Sequence, residues 1–231
     1  MIRAIITDIE GTTSSLSFVK EVLFPYSRQH LAQFLRRHGG EDTVRELIDD
    51  VCRVAGRPLD DVALVRQLVE WIDEDRKVTP LKALQGLIWK EGYRRGDFRG
   101  HVYEDAARNL RRWKTMGIAL YVFSSGSVQA QRLLFAHSDQ GDLTSLFSGY
   151  FDTRIGAKQE AASYRAIAEA VALLPETLLF LSDMREELDA AKHAGLQVRW
   201  VVREVPLDEL AAHPQVPDFD AIVFSLPGAV R

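Results

Sequence analysis

Residues 2–12 of the chain read IRAIITDIEGT. The first six are mostly apolar and β-branched with no alternation of polarity, a pattern typical of a strand buried on both faces in a parallel sheet. Asp8, Glu10 and the turn-forming Gly11 follow the strand directly. We therefore predict a buried first strand that delivers two carboxylates to the carboxyl edge of a sheet.

The spacing of apolar residues changes after this strand. From about Phe18 to Arg95 it is helical, and in 61–75 a single stripe is formed by Val62, Val65, Leu68, Val69 and Ile72. Pro80 suits the first turn of a further helix. This block predicts a bundle of about four helices, followed by a loop from Gly92 to Gly100.

Beyond residue 100, helical and strand-like segments alternate. Strands are predicted over 118–123, 178–181 and 198–202, and helices over 104–116, 128–136, 159–173 and 186–193. This alternation predicts a parallel sheet with right-handed crossovers. We expect an α/β fold with a Rossmann-like parallel-sheet core (1–14 and 100–231) and an all-helical cap (15–99) inserted after the first strand.

Composition excludes several classes of protein. Of 231 residues, 46% are hydrophobic and 27% charged, as in globular proteins with a sizeable core. The net charge is −4 without a basic block, which argues against a nucleic-acid partner. No apolar run is long enough to span a membrane, and we expect no signal peptide. Cys52, the single cysteine, fits a reducing cytoplasm.

Polar residues collect where the predicted strands end. Carboxylates at one sheet edge suit Mg²⁺, and a lysine with hydroxyl groups suits a phosphate. Together they indicate phosphoryl transfer, in which an aspartate can act as a covalent nucleophile. Taken singly, each residue is better explained as a turn, a helix cap or a solvated side chain. The set comprises Asp8, Glu10, Ser124, Ser125, Asp183 and Lys158, which is predicted at a helix start.

These positions, in this order, resemble those of the haloacid-dehalogenase-like phosphohydrolases. That superfamily has an Asp-x-Asp-x-Thr strand end (here 8–12), a strand-terminal Ser or Thr (Ser124), a lysine (Lys158) and a second acidic strand end (Asp183). Glu10 departs from the usual aspartate. With the longer strings LKALQGLIW (81–89), FSSGSVQAQ (123–131) and FDTRIGAK (151–158), the chain resembles the enolase-phosphatases of methionine salvage over nearly its whole length.

The resemblance implies a bifunctional enzyme. Such an enzyme enolises 2,3-diketo-5-methylthiopentyl-1-phosphate and then removes its phosphate, which gives the acireductone 1,2-dihydroxy-3-keto-5-methylthiopentene. It implies one Mg²⁺ per chain, held by Asp8, Glu10 (typically through its backbone carbonyl) and Asp183. Asp8 is the implied nucleophile, and the implied substrate-binding residues are Ser124, Ser125 and Lys158. A cytoplasmic monomer is expected.

Two steps need a group that moves protons. Residues two apart at an extended strand end share a face, so we infer that Glu10 reaches the site of Asp8 as general acid and then base. The base for enolisation stays open among Glu10, Glu187 and residues of the cap. Lys82, Gln85 and Trp89 share one predicted cap helix, and packing explains them as well as substrate contact does.

Four other functions remain open from the residues alone. Two use the same fold for catalysis: another Mg²⁺-dependent small-molecule phosphatase of the superfamily, or a dehalogenase that uses Asp8 without phosphate. The third is an inactive binding module, which the complete set of polar strand ends argues against. The fourth is a receiver-like signalling domain, which the helical insertion after the first strand does not suit.

Overall fold

The computed structural model describes residues 1–224 of the chain. The chain divides into two compact units, one of Met1–Leu16 together with the residues from Gly100 onward, and the other of Ser17–Arg99. Each unit has its own apolar core. None of the described helices combines the length and the apolar character that a membrane crossing requires.

The first unit is built on one sheet. Its strands are β1 (Ala4–Thr7), β2 (Ala119–Phe123), β3 (Gly149–Phe151), β4 (Leu178–Ser182), β5 (Gln197–Val201) and β6 (Gln215–Val216). Their order across the sheet is β3-β2-β1-β4-β5-β6, and all neighbouring strands are parallel. The predicted Rossmann-like α/β core is thus confirmed.

β1 is the central strand of this sheet. All four of its residues are buried, as the unbroken apolar pattern predicted. Thr7 pairs with Val122 of β2 on one side and with Leu181 of β4 on the other. The three strands therefore end within one residue of one another, and the residues after them meet at one edge of the sheet.

The second unit is helical, which confirms the predicted insertion of a helical cap after the first strand. The chain enters it through α1 (Leu16–Phe18) and a π-helical turn (Val19–Leu23), which continue into α2 (Phe24–His38), α3 (Asp42–Ala55), α4 (Asp61–Asp73) and α5 (Thr79–Arg95). Residues 17–99 are all described and contain no strand. Their core is centred on Leu31, Leu68, Trp71 and Leu84.

The first unit also contains four helices longer than one turn among its described residues. They are α6 (Glu104–Thr115), α7 (Val128–Ala136), α8 (Ala161–Ala170) and α9 (Arg185–His193). The loops between β2 and α7, and between β4 and α9, each join the carboxyl end of a strand to a helix start. This arrangement places helix N-termini at the edge where the polar residues collect.

The loop predicted from Gly92 to Gly100 is wrong at its start. α5 continues to Arg95, and Gly96, with φ of +74°, forms its C-cap. Gly92 lies inside the helix, at a position where neighbouring side chains leave no room for a Cβ atom. A Cβ atom there would lie 2.5 Å from Cε1 of Phe98 and 2.7 Å from Cζ of Tyr26.

Candidate active site

Asp8 is buried at the carboxyl end of β1, with 4% of its surface exposed. Its N–H donates to the carbonyl of Leu181 at 2.9 Å. Behind it, the N–H groups of Thr13 and Ser14 donate to the Ile9 carbonyl at 2.9 and 2.8 Å, and the Thr13 hydroxyl donates to the Asp8 carbonyl at 2.6 Å. Residues 8–14 therefore form a closed turn, which we call the nucleophile turn.

Lys158 lies directly against Asp8. Its ammonium Nζ is 2.6 Å from Asp8 Oδ1 and 2.7 Å from Glu187 Oε2, and all three side chains are buried. The Ser182 hydroxyl donates to the same Glu187 oxygen at 2.8 Å. Burial lowers the pKa of Lys158, but the two carboxylates outweigh burial, so the pKa is raised and the ammonium is kept charged.

The sequence predicts Lys158 at a helix start, and this prediction is wrong. α8 begins at Ala161, and Lys158 occupies the turn before it. The Tyr164 hydroxyl, one turn into α8, donates to the Lys158 carbonyl at 2.7 Å and fixes this turn from the core side. The lysine is therefore held by backbone contacts on one side and by carboxylates on the other.

Asp183 follows β4 and lies over the nucleophile turn. A Cβ atom on Gly11 would come within 2.1 Å of Asp183 Oδ2, so only glycine allows this approach. Asp183 Oδ1 is buried and has no hydrogen-bond partner among the described residues. Burial and the neighbouring Asp8 carboxylate raise the pKa of Asp183 to about 7.

A cation would satisfy this carboxylate. Within residues 1–224, no group of three or more His, Cys, Asp or Glu side chains could hold a metal ion alone. The edge instead offers Asp8 and Asp183, and Mg²⁺ is commonly bound through one or two carboxylates with water and substrate oxygens completing its shell. The unpartnered oxygen and raised pKa of Asp183 fit that donor set.

Ser124 and Ser125 follow β2 at the same edge. Ser124 is buried and its Oγ accepts the Gly126 N–H at 3.1 Å, whereas Ser125 is exposed. Two side chains fix the loop. The Gln131 amide donates to the carbonyls of Gly126 and Phe151, both at 2.8 Å, and Asp152 accepts the N–H of Val128, the first residue of α7.

The structure thus brings Asp8, Lys158 and Asp183 into one cluster. Glu10 is half-buried in the nucleophile turn, two residues beyond Asp8. Sequence reasoning missed that Glu187 pairs with Lys158, although its position four residues after Asp183 was a usable signal. It also missed Arg203, whose Nε donates to the carbonyl of Thr12 at 2.8 Å.

Structural contacts hold Gln85 and Trp89, which the sequence singles out together with Lys82 in the helical unit. The Gln85 amide is buried and donates to the Ser27 hydroxyl at 3.3 Å. The Trp89 indole donates to the Leu23 carbonyl at the end of the π-helical turn, at 2.8 Å. Lys82 is half-buried on the same helix, α5. Packing therefore accounts for Gln85 and Trp89.

Comparison with known proteins assigns this site to a family. Residues 2–195 match the family model of the haloacid dehalogenase-like hydrolases. Enolase-phosphatase E1 of Methylococcus capsulatus is 62% identical over 96% of this chain and 98% of its own length. The chain belongs to the enolase-phosphatase E1 family. The same enzyme of Thioalkalivibrio sulfidiphilus is 54% identical over 96% of this chain and 99% of its own length.

A solved structure also resembles the whole fold. The Unknown transcript 4 protein (UTR4) of Saccharomyces cerevisiae superposes with a TM-score of 0.82 at 31% identity, over 96% of this chain and 100% of that one. As a member of the enolase-phosphatase E1 family, the chain is a hydrolase of the phosphatase type. This excludes the dehalogenase, binding-module and receiver-domain alternatives.

Proposed function

We propose that the chain converts 2,3-diketo-5-methylthiopentyl-1-phosphate into 1,2-dihydroxy-3-keto-5-methylthiopentene by enolisation and dephosphorylation in methionine salvage. The observation that carries the proposal is the buried contact of 2.6 Å between Lys158 and Asp8, beside the unpartnered oxygen of Asp183. This cluster lies in a chain 62% identical to a named Enolase-phosphatase E1. The alternative is another Mg²⁺-dependent small-molecule phosphatase of the same superfamily.

Asp8 is the proposed nucleophile. One of its carboxylate oxygens forms a bond to phosphorus while the ester P–O bond breaks, and the electron pair of that bond leaves on the enol oxygen. The Thr13 hydroxyl and Leu181 carbonyl fix the Asp8 backbone, so the carboxylate is aimed before substrate arrives. The product of this step is an aspartyl phosphate on Asp8.

Three residues are proposed to bind the phosphate. The Lys158 ammonium, held charged by Asp8 and Glu187, binds phosphate oxygens as negative charge spreads over them. Ser124, whose loop is fixed by Gln131, offers its hydroxyl from the neighbouring strand end. Ser125 is exposed beside it and offers a second hydroxyl to the substrate.

The proposed ligands of Mg²⁺ are Asp8, Asp183 and the Glu10 backbone carbonyl. When bound there, Mg²⁺ neutralises charge between the Asp8 carboxylate and an approaching phosphate, two anions that otherwise repel each other. The unpartnered Asp183 oxygen supports this assignment, because a buried carboxylate oxygen without a donor is costly unless a cation meets it.

Glu10 is the proposed acid and base. Its carboxyl group gives a proton to the leaving enol oxygen. The resulting carboxylate then takes a proton from the water that attacks phosphorus, and the bond between phosphorus and Asp8 breaks. Phosphate leaves, Asp8 is restored as a carboxylate, and Glu10 ends protonated as it began.

We assign catalysis to a core of residues 1–14 and 100–231 and treat residues 15–99 as the cap. All of the proposed reacting side chains, from Asp8 and Glu10 to Asp183, belong to this core. A monomeric enzyme that acts on a small phosphate ester in the cytoplasm completes the proposal.

The test is turnover of the diketo phosphate with Mg²⁺, with enol absorbance and free phosphate followed together in the parent chain and in Asp8→Asn. We expect both signals in the parent, and loss of phosphate release in D8N. If the parent releases phosphate from other esters but not from this one, the mechanism stands and the substrate is wrong. Phosphate release by D8N would overturn the assignment of the nucleophile.

A further inference from the structure

Arg203 contacts the nucleophile turn from the segment that follows β5. It lies two residues beyond the end of β5, and its side chain is 10% exposed. Its Nε donates to the carbonyl of Thr12 at 2.8 Å. Thr12 is two residues beyond Glu10, so this hydrogen bond joins β5 to the turn that carries the proposed acid and base.

The guanidinium of Arg203 is itself held on several sides. Its two terminal nitrogens donate to the two carboxylate oxygens of Asp105 at 3.1 and 3.0 Å. Its Cζ lies over the ring of Tyr103, 3.7 Å from the ring centroid, and over the ring of Phe219, 5.5 Å from the centroid. An arginine that is paired in this way and lies against two aromatic rings is a poor candidate for movement.

Asp105 is fixed as well. Its Oδ2 accepts the Phe219 N–H at 2.9 Å, and it belongs to the first turn of α6, where a carboxylate is favoured. From the same segment, the Tyr103 N–H donates to the Thr13 carbonyl at 3.0 Å. Two successive carbonyls of the nucleophile turn are therefore held by a single rigid cluster.

Small movements of this turn would matter. Gly11, between Glu10 and Thr12, lies so close to Asp183 that no Cβ atom fits. A shift of the turn therefore changes the spacing between Glu10 and the two aspartates at the sheet edge. The half-buried ion pair between Arg203 and Asp105 is weak evidence for a role in stability alone. The hydrogen bond from Arg203 to the Thr12 carbonyl is the more informative observation.

We propose that Arg203, held by Asp105 and Tyr103, is a positioning residue for proton transfer: it fixes the nucleophile turn so that the Glu10 carboxyl faces the leaving oxygen. The proposal rests on the proposed function of Glu10. Arg203 itself touches the backbone of Thr12 and no reacting atom. Its effect on the reaction is therefore expected to pass through Glu10.

A double-mutant cycle on the diketo phosphate tests this route. We would measure kcat/KM for phosphate release by the parent chain, E10Q, R203M and E10Q/R203M. We expect a loss of about 100-fold for E10Q and of about 10-fold or more for R203M. With Glu10 already replaced, R203M should cost less than about 3-fold, because the group that it positions is gone.

Three further variants separate positioning from folding. R203K keeps a donor for the Thr12 carbonyl and should recover part of the lost kcat/KM. R203M/D105N removes both charges and serves if R203M, which leaves Asp105 without a counter-charge, fails to fold. R199M is the matched control, because Arg199 lies on β5 and donates to the carbonyls of Val198 and Val223 instead. We expect parent-like turnover from R199M.

The outcomes distinguish the two proposals. If E10Q turns over like the parent chain, the proposed role of Glu10 fails. If E10Q is impaired but R203M costs the same factor with and without Glu10, the role of Arg203 in positioning Glu10 is overturned. A parent-like kcat/KM for a folded R203M, or for R203M/D105N, overturns it as well.

Discussion

Gly11 shows how closely a single residue limits the site. Its φ is +74°, and a side chain there would meet the Asp183 carboxylate. We predict that Gly11→Ala lowers phosphate release by more than 10-fold, because Asp183 must move from the sheet edge where the cation is proposed to bind. The left-handed backbone alone costs about 1 kcal/mol of stability when alanine replaces glycine.

The matched control is Gly56→Ala. Gly56 forms the C-cap of α3 with a φ of +72°, and a Cβ atom there would meet nothing within 4 Å. G56A should lose the same amount of about 1 kcal/mol that the left-handed backbone costs in the free energy of unfolding, measured by urea denaturation. Its phosphate release should be parent-like. Equal activity of G11A and G56A would mean that the contact with Asp183 does not matter.

The sequence predicts some single residues of the site and misses others. Asp8, Lys158 and Asp183 could be placed together, since each follows a buried strand or precedes a helix in an alternating pattern. Arg203 could not. Its partners Thr12 and Asp105 are 191 and 98 residues away, and no local pattern marks a donor to a distant backbone carbonyl.

Elements were predictable in proportion to their length. The four residues of β1 and the five residues each of β2 and β4 are mostly apolar and carry enough pattern to be recognised. β3 and β6 were not predicted, because they have three and two residues and lie at the two edges of the sheet. Their pairing with neighbouring strands, rather than their composition, defines them.

Helix α5 offers a prediction about packing inside one element. Gly92→Ala should destabilise the protein by about 1–3 kcal/mol, because its Cβ atom would overlap the rings of Phe98 and Tyr26. Gly86→Ala in the same helix meets nothing within 4 Å and should stabilise by up to about 1 kcal/mol through helix propensity. Urea unfolding followed by circular dichroism measures both changes.

The opposite signs are the test of this account. If G92A is as stable as G86A, Gly92 does not serve close packing, and this end of α5 is frayed in solution. A destabilised G86A would show that the open space beside Gly86 is not open in solution.

At the scale of the molecule, a change of period in the sequence was sufficient to predict the architecture. An alternating α/β pattern interrupted by a purely helical block implies a parallel sheet with an insertion, and the sheet and the helical unit both follow it. The enolisation base could not be derived, since no spacing in the sequence distinguishes a carboxylate that abstracts a carbon-bound proton from one that binds a cation.

Binding of Mg²⁺ should stabilise the whole protein. At 100 times its dissociation constant a ligand adds about 2.7 kcal/mol, which should raise Tm by roughly 5–10 °C in a protein of this size. We predict that rise for the parent chain in a thermal scan and its loss in Asp183→Asn. Because burial raises the pKa of Asp183, to about 7, removing its charge should leave metal-free D183N at least as stable as the metal-free parent.

D183N must be folded for that comparison, and its metal-free Tm is the control. A full Mg²⁺-dependent rise in D183N would show that the ion binds elsewhere. A parent chain that shows no rise at saturating Mg²⁺ would contradict the proposed metal site.

The most direct test of the central claim is to identify the residue that carries phosphate during turnover. A single-turnover reaction quenched with hydroxylamine converts an aspartyl phosphate into a hydroxamate, which mass spectrometry of the digested chain can locate. We predict a hydroxamate on Asp8 that appears only when substrate is present. A quenched reaction that has formed phosphate but carries the hydroxamate on another residue, or on none, would contradict the account.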